Sequence, residues 1–531
     1  MFIRSILNWL EPRQWLALAR RFRPDDEFLV AGEQRLTRRQ VLAHVEALAA
    51  GLQGLGVQKG DRVATLLPAS PAAVYALLAP WLLGTFEVPL NPLLRRHELR
   101  HILAGSRVNA VLTTRRWYGH DHPATLARLL PELPDLRAVV VQGAESGSAR
   151  PFFSLDEVLN TERSLRPARL TFRDCGRITY TSGTTGLPKG AVHTWERYWG
   201  LAHPRALLRL APRVFDCVLF PFPLCYYHGA LAVVATWLAG GRLILVDRFD
   251  PRQMLETIER ERVTLLAVSP TMARLLLRVP GQERRDLASV RRIFLGTEVC
   301  PPDLAQALAG RFHCPLENMY ATNEAGNITW TGQRDPWQRV ATTVGKAAPG
   351  VRLRIVDGAR QSLPAGGIGQ VAVRTAQMMN GYYGDPELTA QVLDADGWFY
   401  TGDLGCLGDD GYLRLMGRKR DVIVRGGFKI YPEEVERYLE QHPLIRRAGV
   451  IGVAQDGVEA VWAFVEQAPG AALSEQELRA FCLGQIAPFK VPERVCFVQQ
   501  LPLTVTGKVQ RFRLREMAGC STQNTTSESP G

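Results

Sequence analysis

Tyr180-Thr181-Ser182-Gly183-Thr184-Thr185-Gly186-Leu187-Pro188-Lys189-Gly190 is the stretch on which the reading of this chain turns. It follows Ile178, which reads as the end of a strand. Hydroxyls, glycines and one lysine crowd into a single turn. Small residues let backbone N–H groups close around an anion, hydroxyls add donors, and Lys189 adds charge. That is the chemistry of a phosphate cradle. The spacing is not that of a Walker A loop, because Pro188 stands where the second glycine belongs and Gly190 follows the lysine. A solvated Ser/Thr/Gly loop is the plain alternative, and the rest of the chain decides between the two.

At 531 residues, two or more domains are expected. Hydrophobic residues make up 46%, enough for a large core, and charged residues 22%, as in a soluble protein. The net charge of +12 comes from scattered arginines with no long basic block. This argues against a nucleic-acid partner and favours anionic ligands or an anionic surface. Nine cysteines are irregularly spaced and form no CxxC pair, so they read as thiols of a reducing, cytoplasmic compartment. No apolar run has the length of a membrane span; the longest, Gly229 to Gly240, reads as a core helix. Near the start, Ile3, Ile6, Leu7 and Leu10 share one helical face, closed by Glu11 and Pro12 too early for a secretory signal. That segment, residues 1–10, reads either as a helix packed on the main domain or as a peripheral membrane contact.

Working outward, Phe28 to Leu55 predicts a hairpin and then a helix buried through Val41, Val45, Leu48, Ala49 and Leu52. Val63–Leu67, Phe86–Pro92 and Val108–Thr113 read as strands alternating with helices. After the glycine-rich turn come a strand at Cys217–Phe220 and further strand units at Leu265–Pro270, Ile293–Glu298 and one ending in Tyr320-Ala321-Thr322-Asn323-Glu324. This is α/β alternation with buried parallel strands. In such sheets ligands gather at the carboxyl ends of the strands, and these strands end in small or polar residues that could line one crevice. Val351 to Val373 reads as a small β unit. Asp396 to Asp403 follows it, and Gly417 to Asp421 looks like a linker. Beyond lies a smaller pattern: a helix at Pro432–Leu439 and strands at Ala448–Val453 and Val461–Val465. The tail from Ser521 is polar and is expected to be disordered.

Together these motifs, from about Phe28 to about Glu516, resemble the adenylate-forming enzymes: acyl-CoA synthetases, 4-coumarate-type ligases, luciferases and peptide-synthetase adenylation domains. The resemblance implies a large N-terminal α/β domain with a small β unit (residues 1–418), a small mobile α+β C-terminal domain (419–517) and a tail (518–531). It implies that ATP and a carboxylic acid give an acyl-adenylate and pyrophosphate, and that the acyl group then passes to coenzyme A. An acyl carrier protein is the alternative acceptor, and a decayed nucleotide-binding regulator a further reading.

The resemblance also assigns residues. Thr181, Ser182, Gly183, Thr184, Thr185, Gly186 and Lys189 cradle phosphate. Gly296, Thr297, Tyr320, Ala321 and Asn323 belong to the nucleotide site. Glu324 matches an acid that binds magnesium, with Thr184 as a second contact. Asp403, in Tyr-Thr-Gly-Asp, suits the two ribose hydroxyls because a carboxylate has two acceptor oxygens. Arg418 contacts the nucleotide, and Arg420 stands at the hinge about which the small domain swings. Lys508, in Thr-Gly-Lys, is the catalytic lysine of the first half-reaction. Gly426 and Gly427 suit a pantetheine arm, or else a plain β-turn. The family pattern around Glu324 is Tyr-Gly-x-Thr-Glu, from which Ala321 and Asn323 depart. Tyr226, His228 and Gly229 fall in the acyl-substrate segment, where Tyr226, Tyr227 and His228 read as a bulky pocket mouth or as core aromatics. No carboxylate stands at the Tyr226 position, which argues against an α-amino acid and leaves fatty, aryl and alicyclic acids.

Overall fold

A computed structural model describes residues 11–21, 23–145, 147, 150–166, 169–182, 188–198, 216–296, 300–418, 423–430, 432–455, 458–502, 509 and 511–524. The chain divides into two units. The first comprises Met1–Pro92, Ile102–Thr181 and Lys189–Gly417; the second comprises Leu93–His101, Ser182–Pro188 and Arg418–Gly531.

Within the described residues, the first unit is built on two large sheets. One has nine strands, in the order Lys346–Ala347, Gly326–Trp330, Leu316–Thr322, Arg292–Leu295, Leu265–Val268, Cys217–Phe220, Arg242–Leu245, Glu27–Ala31 and Gln34–Thr37. Its interior is parallel and its edges antiparallel. The other has eight strands, running from Gly381–Tyr382 through Pro188–Thr194, Gly176–Ser182, Phe86–Pro89, Arg62–Leu66, Ala110–Thr114 and Ala138–Gln142 to Phe152–Ser154. The parallel core follows from sequence: Leu265–Val268 is apolar at every position and buried on both faces.

Local chemistry sets the helices. Thr37 and Gln40 form a reciprocal capping box that starts Arg38–Gly54. Val41, Val45, Leu48, Ala49 and Leu52 are all buried, as the 3.6-residue period predicts. This face joins the core shared by the two sheets, which also takes in the Tyr227–Leu238 helix. A second core lies under Pro251–Arg260, Pro270–Leu277 and Pro302–Phe312, with Met254, Ile258, Leu276 and Leu308 buried there. The small β unit is a four-stranded antiparallel sheet of Arg352–Val356, Ile368–Arg374, Phe399–Leu407 and Leu413–Arg418.

The second unit carries a three-stranded sheet, Ile445–Gln455, Val458–Gln467 and Arg494–Val498, with the Pro432–Leu439 helix where the sequence places it. Successive residues of Val458–Gln467 face opposite cores. Val461, Ala463 and Val465 join one, and Ala460, Trp462 and Phe464 the other.

Gly417 and Arg418, where the sequence reads the start of a linker, end the Leu413–Arg418 strand, and the division between the two units falls between them. One expectation changes. The polar tail is not uniformly unstructured, because Ser521 to Asn524 complete the Arg511–Asn524 helix. That helix is anchored upstream, where buried Leu514 and Ala518 pack with Trp462, and it carries its polar last turn with it. Residues 1–10 and 525–531 lie outside the described residues. No described helix is long and apolar enough to cross a membrane.

Candidate active site

Lys189 lies on the strand that leaves the glycine-rich turn. The next residue, Gly190, is pressed on the strand that enters it. A Cβ there would come within 2.8 Å of Ile178 Cγ2 and 3.0 Å of the Tyr180 ring. On the other side the strand pairs with Gly381–Tyr382, with Tyr383 N–H donating to Gly190 O at 2.7 Å and Asn380 N–H to Val192 O at 2.7 Å. The pairing brings the Tyr382 ring beside Lys189, whose Nζ stands 5.6 Å from the ring centroid. The Tyr382 hydroxyl donates to Glu324 Oε1 at 3.3 Å. Lys189 and Glu324, far apart in sequence, therefore meet at one tyrosine.

Glu324 sits in the turn between Leu316–Thr322 and Gly326–Trp330. Its carbonyl accepts from Met379 N–H at 2.7 Å and lies 3.3 Å from His193 Nε2. His193 is fully buried, and that burial pulls its pKa down to about 4. The ring is therefore neutral near pH 7, and its Nε2–H is the donor to Glu324. Tyr382 and His193 are functional candidates that motif reading missed. The signal for Tyr382 was an aromatic pair, Tyr382-Tyr383, between two glycines; for His193 nothing local distinguished it.

Asp403 is buried, with 5% of its surface exposed, on the Phe399–Leu407 strand. Gly402 before it adopts φ +78, a left-handed turn inside a strand that glycine tolerates. Thr401 Oγ1 accepts from Asp403 N–H at 3.1 Å and donates to Val371 O at 3.0 Å. The Tyr320 hydroxyl donates to Asp403 Oδ2 at 2.5 Å. Sequence reading placed Tyr320 and Asp403 separately in the nucleotide site; the fold makes them one unit, with the phenol orienting the carboxylate.

In the segment that the sequence reading gives to the acyl substrate, Tyr226 and His228 are half-buried and Tyr227 is in the core. The Tyr226 hydroxyl accepts from Asn91 Nδ2 at 3.1 Å, and His228 Nε2 lies 3.2 Å from Asn327 Oδ1. Tyr227 is thus not part of a pocket mouth. Its hydroxyl accepts from Gln377 Nε2 at 2.8 Å, and burial raises its pKa far enough to keep the phenol neutral. Gly229 has a packing reason: a Cβ there would lie 2.5 Å from Leu224 Cα and 2.7 Å from Leu224 O. Gly296 follows the Arg292–Leu295 strand and is half-buried. Ala321 pairs with Asn327 across the hairpin that Asn323 helps to turn.

Thr181 and Ser182 end the Gly176–Ser182 strand, and Arg418 ends Leu413–Arg418. Gly183, Thr184, Thr185, Gly186, Thr297, Arg420 and Lys508 lie outside the described residues. In the second unit Gly426 and Gly427 form the two-residue turn between Ile423–Arg425 and Phe428–Ile430, at φ +54 and +82. Two positive φ values match the right-handed twist of a hairpin, which glycine reaches without strain. Among the described residues no three His, Cys, Asp or Glu side chains are grouped to hold a metal ion.

A glycine- and hydroxyl-rich stretch between two strands of one sheet, the Glu324 carboxylate in the turn after a strand of the other large sheet, and an α+β C-terminal unit are the marks of the AMP-binding enzymes. The family described as AMP-binding enzyme matches residues 17–383, and the AMP-binding enzyme C-terminal domain matches residues 434–508. The chain belongs to the AMP-binding enzyme family. It is 32% identical over 519 residues to a putative acyl-CoA synthetase, YngI, of Bacillus subtilis (strain 168), covering 93% of this chain and 94% of that one. It is 34% identical over 471 residues to the medium-chain fatty-acid–CoA ligase of Escherichia coli (strain K12), covering 87% and 82%. Among solved structures it is similar to the amide bond synthetase McbA from Marinactinospora thermotolerans, with a TM-score of 0.83 and 30% identity over 96% of this chain and 99% of that one.

Proposed function

We propose that this chain activates a carboxylic acid with ATP and passes the acyl group to coenzyme A. In the first step a carboxylate oxygen attacks the α-phosphorus, an acyl–O–P bond forms, and pyrophosphate leaves. In the second a thiol sulfur attacks the acyl carbon, and AMP leaves. The observation that carries this reading is the meeting of Lys189 and Glu324 at Tyr382, which sets a cation and an anion beside the phosphate turn. Lys189 offsets phosphate charge. Glu324, with Thr184, would hold magnesium, which supplies further positive charge to the phosphates. Asp403, oriented by Tyr320, takes the ribose hydroxyls, and Arg418 adds a nucleotide contact.

Lys508 acts in the first step, on a C-terminal module that turns about Arg420. In its second orientation Gly426 and Gly427 admit the pantetheine arm. Tyr226, His228 and Gly229 serve the acid. The names of the relatives make medium-chain fatty acids the first to try, with aryl and alicyclic acids beside them. Cys175, Cys217, Cys225, Cys300, Cys314, Cys406, Cys482 and Cys496 are free thiols, which suits a reducing compartment such as the cytoplasm.

Carboxylate-dependent ATP–pyrophosphate exchange over a panel of acids tests the reading, followed by product analysis with coenzyme A and with a holo carrier protein as acceptors. Exchange with at least one acid and formation of its CoA thioester and AMP are expected. Inactivity across the panel overturns the enzyme assignment, and transfer to carrier protein alone overturns the acceptor.

Two substitutions probe the site. Asp403→Ala is expected to raise the ATP KM by about tenfold or more, the loss of a hydrogen bond to a charged group. An unchanged ATP KM removes Asp403 from the ribose. Tyr382→Phe deletes only the hydroxyl on Glu324 and is expected to slow exchange by about tenfold with little change in melting temperature. Full activity in that variant would show that the tyrosine does not orient the carboxylate.

A further inference from the structure

Arg177 is fully buried on the Gly176–Ser182 strand, the same strand that runs into the phosphate turn. Beside it in register on the neighbouring parallel strand is Glu87, also buried. Their side chains pair, with Arg177 Nε 3.1 Å from Glu87 Oε2, while Glu87 Oε1 accepts from Thr65 Oγ1 at 3.0 Å. A buried guanidinium is tolerated only when its charge is paired and its donors find acceptors. Here the two Nη groups find oxygen acceptors outside the sheet. Arg177 Nη2 donates to Leu224 O at 2.6 Å, and Nη1 donates to Tyr226 O at 3.4 Å and to the Tyr198 hydroxyl at 3.0 Å. That hydroxyl in turn donates to Tyr227 O at 2.9 Å.

The backbone carbonyls of Leu224, Tyr226 and Tyr227 are thus all held by one arginine, directly or through Tyr198. They belong to the segment that carries Tyr226 and His228 into the Tyr227–Leu238 helix. The N-cap residue of that helix, Tyr226, makes no side-chain capping hydrogen bond, so the arginine's hold on the carbonyls is not duplicated by a cap. We infer that Arg177 is a positioning residue for acid binding: it sets the Leu224–Tyr227 backbone, and with it Tyr226 and His228, against the strand that leads to the phosphates. The inference rests on the proposed role of Tyr226 and His228 in the acid site. Only a planar guanidinium has the donors to span the Glu87 carboxylate, two carbonyls and a phenol at once; an ammonium cannot.

The test is Arg177→Lys, which keeps the charge opposite Glu87 and gives up the fork. Tyr198→Phe is the second variant, removing the relay to Tyr227 with no change of charge and almost none of shape. The readouts are the KM for the acid, the KM for ATP and the rank order of the acid panel. Arg177→Lys is expected to raise the acid KM by about tenfold and to blur the rank order, with the ATP KM within about twofold. Tyr198→Phe is expected to move the same quantities in the same direction by about threefold. Loss of melting temperature alone, with an unaltered acid KM and rank order in the folded variants, overturns the inference. So does a parallel rise of the acid and ATP KM values. His228→Ala separates this failure from that of the underlying reading. If it reorders the panel while Arg177→Lys and Tyr198→Phe do not, only the positioning role falls; if none of the three does, the acid site lies elsewhere and both fall.

Discussion

Replacing Lys508 by alanine is expected to lower carboxylate-dependent ATP–pyrophosphate exchange by about two to three orders of magnitude, and to leave transfer from a supplied acyl-adenylate to coenzyme A within about twofold. The asymmetry follows from where charge develops. In the first step a carboxylate approaches a phosphate, so two anions meet and negative charge concentrates between them. One preorganised donor at such a point is worth about 10²–10³ in rate. In the second step the nucleophile meets a neutral acyl carbon, and the departing group is AMP, which the Asp403 and Lys189 side of the site still holds. Lys508 acts in the first step alone if its module turns between the two. Exchange with labelled pyrophosphate reads the first half, and single-turnover thioester formation from purified acyl-adenylate reads the second. Equal losses in both halves would sink the division of labour, and with it the need for a turning module.

Much of the frame was legible because its causes are local. The period of Val41, Val45, Leu48, Ala49 and Leu52 names a buried helix face, and all five are buried. The apolar runs at Cys217–Phe220 and Leu265–Val268 name parallel interior strands, and they pair in register. What stayed hidden is chemistry assembled across long loops. Tyr320 and Asp403 were each read as nucleotide-site residues, yet nothing in either motif tells that the phenol bonds the carboxylate. Arg177 stands in Gly-Arg-Ile-Thr-Tyr, where nothing in the neighbouring residues marks it as buried. Its burial becomes intelligible only beside Glu87, which comes from a different βα unit. Tyr382 reaches Glu324 only because Gly381–Tyr382 adds an antiparallel edge to the sheet, a pairing that two residues of sequence do not announce. The tail misled for the converse reason: polarity speaks for disorder, but Leu514 and Ala518 had already committed the helix.

Gly229→Ala is expected to cut acid-dependent exchange by about 100-fold and to lower the melting temperature by several degrees, with ATP binding retained. The added Cβ would meet the Cα of Leu224 at 2.5 Å, its carbonyl carbon at 2.8 Å and its oxygen at 2.7 Å. These are backbone atoms and cannot rotate away, so the first turn of Tyr227–Leu238 must shift by roughly 1 Å to reach ordinary contact. Overpacking of this kind typically costs about 1–3 kcal/mol. The functional loss is larger because the shift falls on the acid side. Gly229 N–H donates to Tyr226 O at 3.0 Å, and Tyr226 O is one of the carbonyls that Arg177 holds. His228, 3.2 Å from Asn327, moves with the same turn. A misplacement near 1 Å is enough for a loss of about 10²-fold in rate. Gly310→Ala is the matched control. It lies inside the Pro302–Phe312 helix with nothing within 4 Å of the Cβ position, so alanine there should be neutral or stabilising by up to about 1 kcal/mol. If Gly229→Ala behaves like Gly310→Ala, the helix does not press on Leu224, and the chain of contacts from Arg177 to His228 loses its anchor.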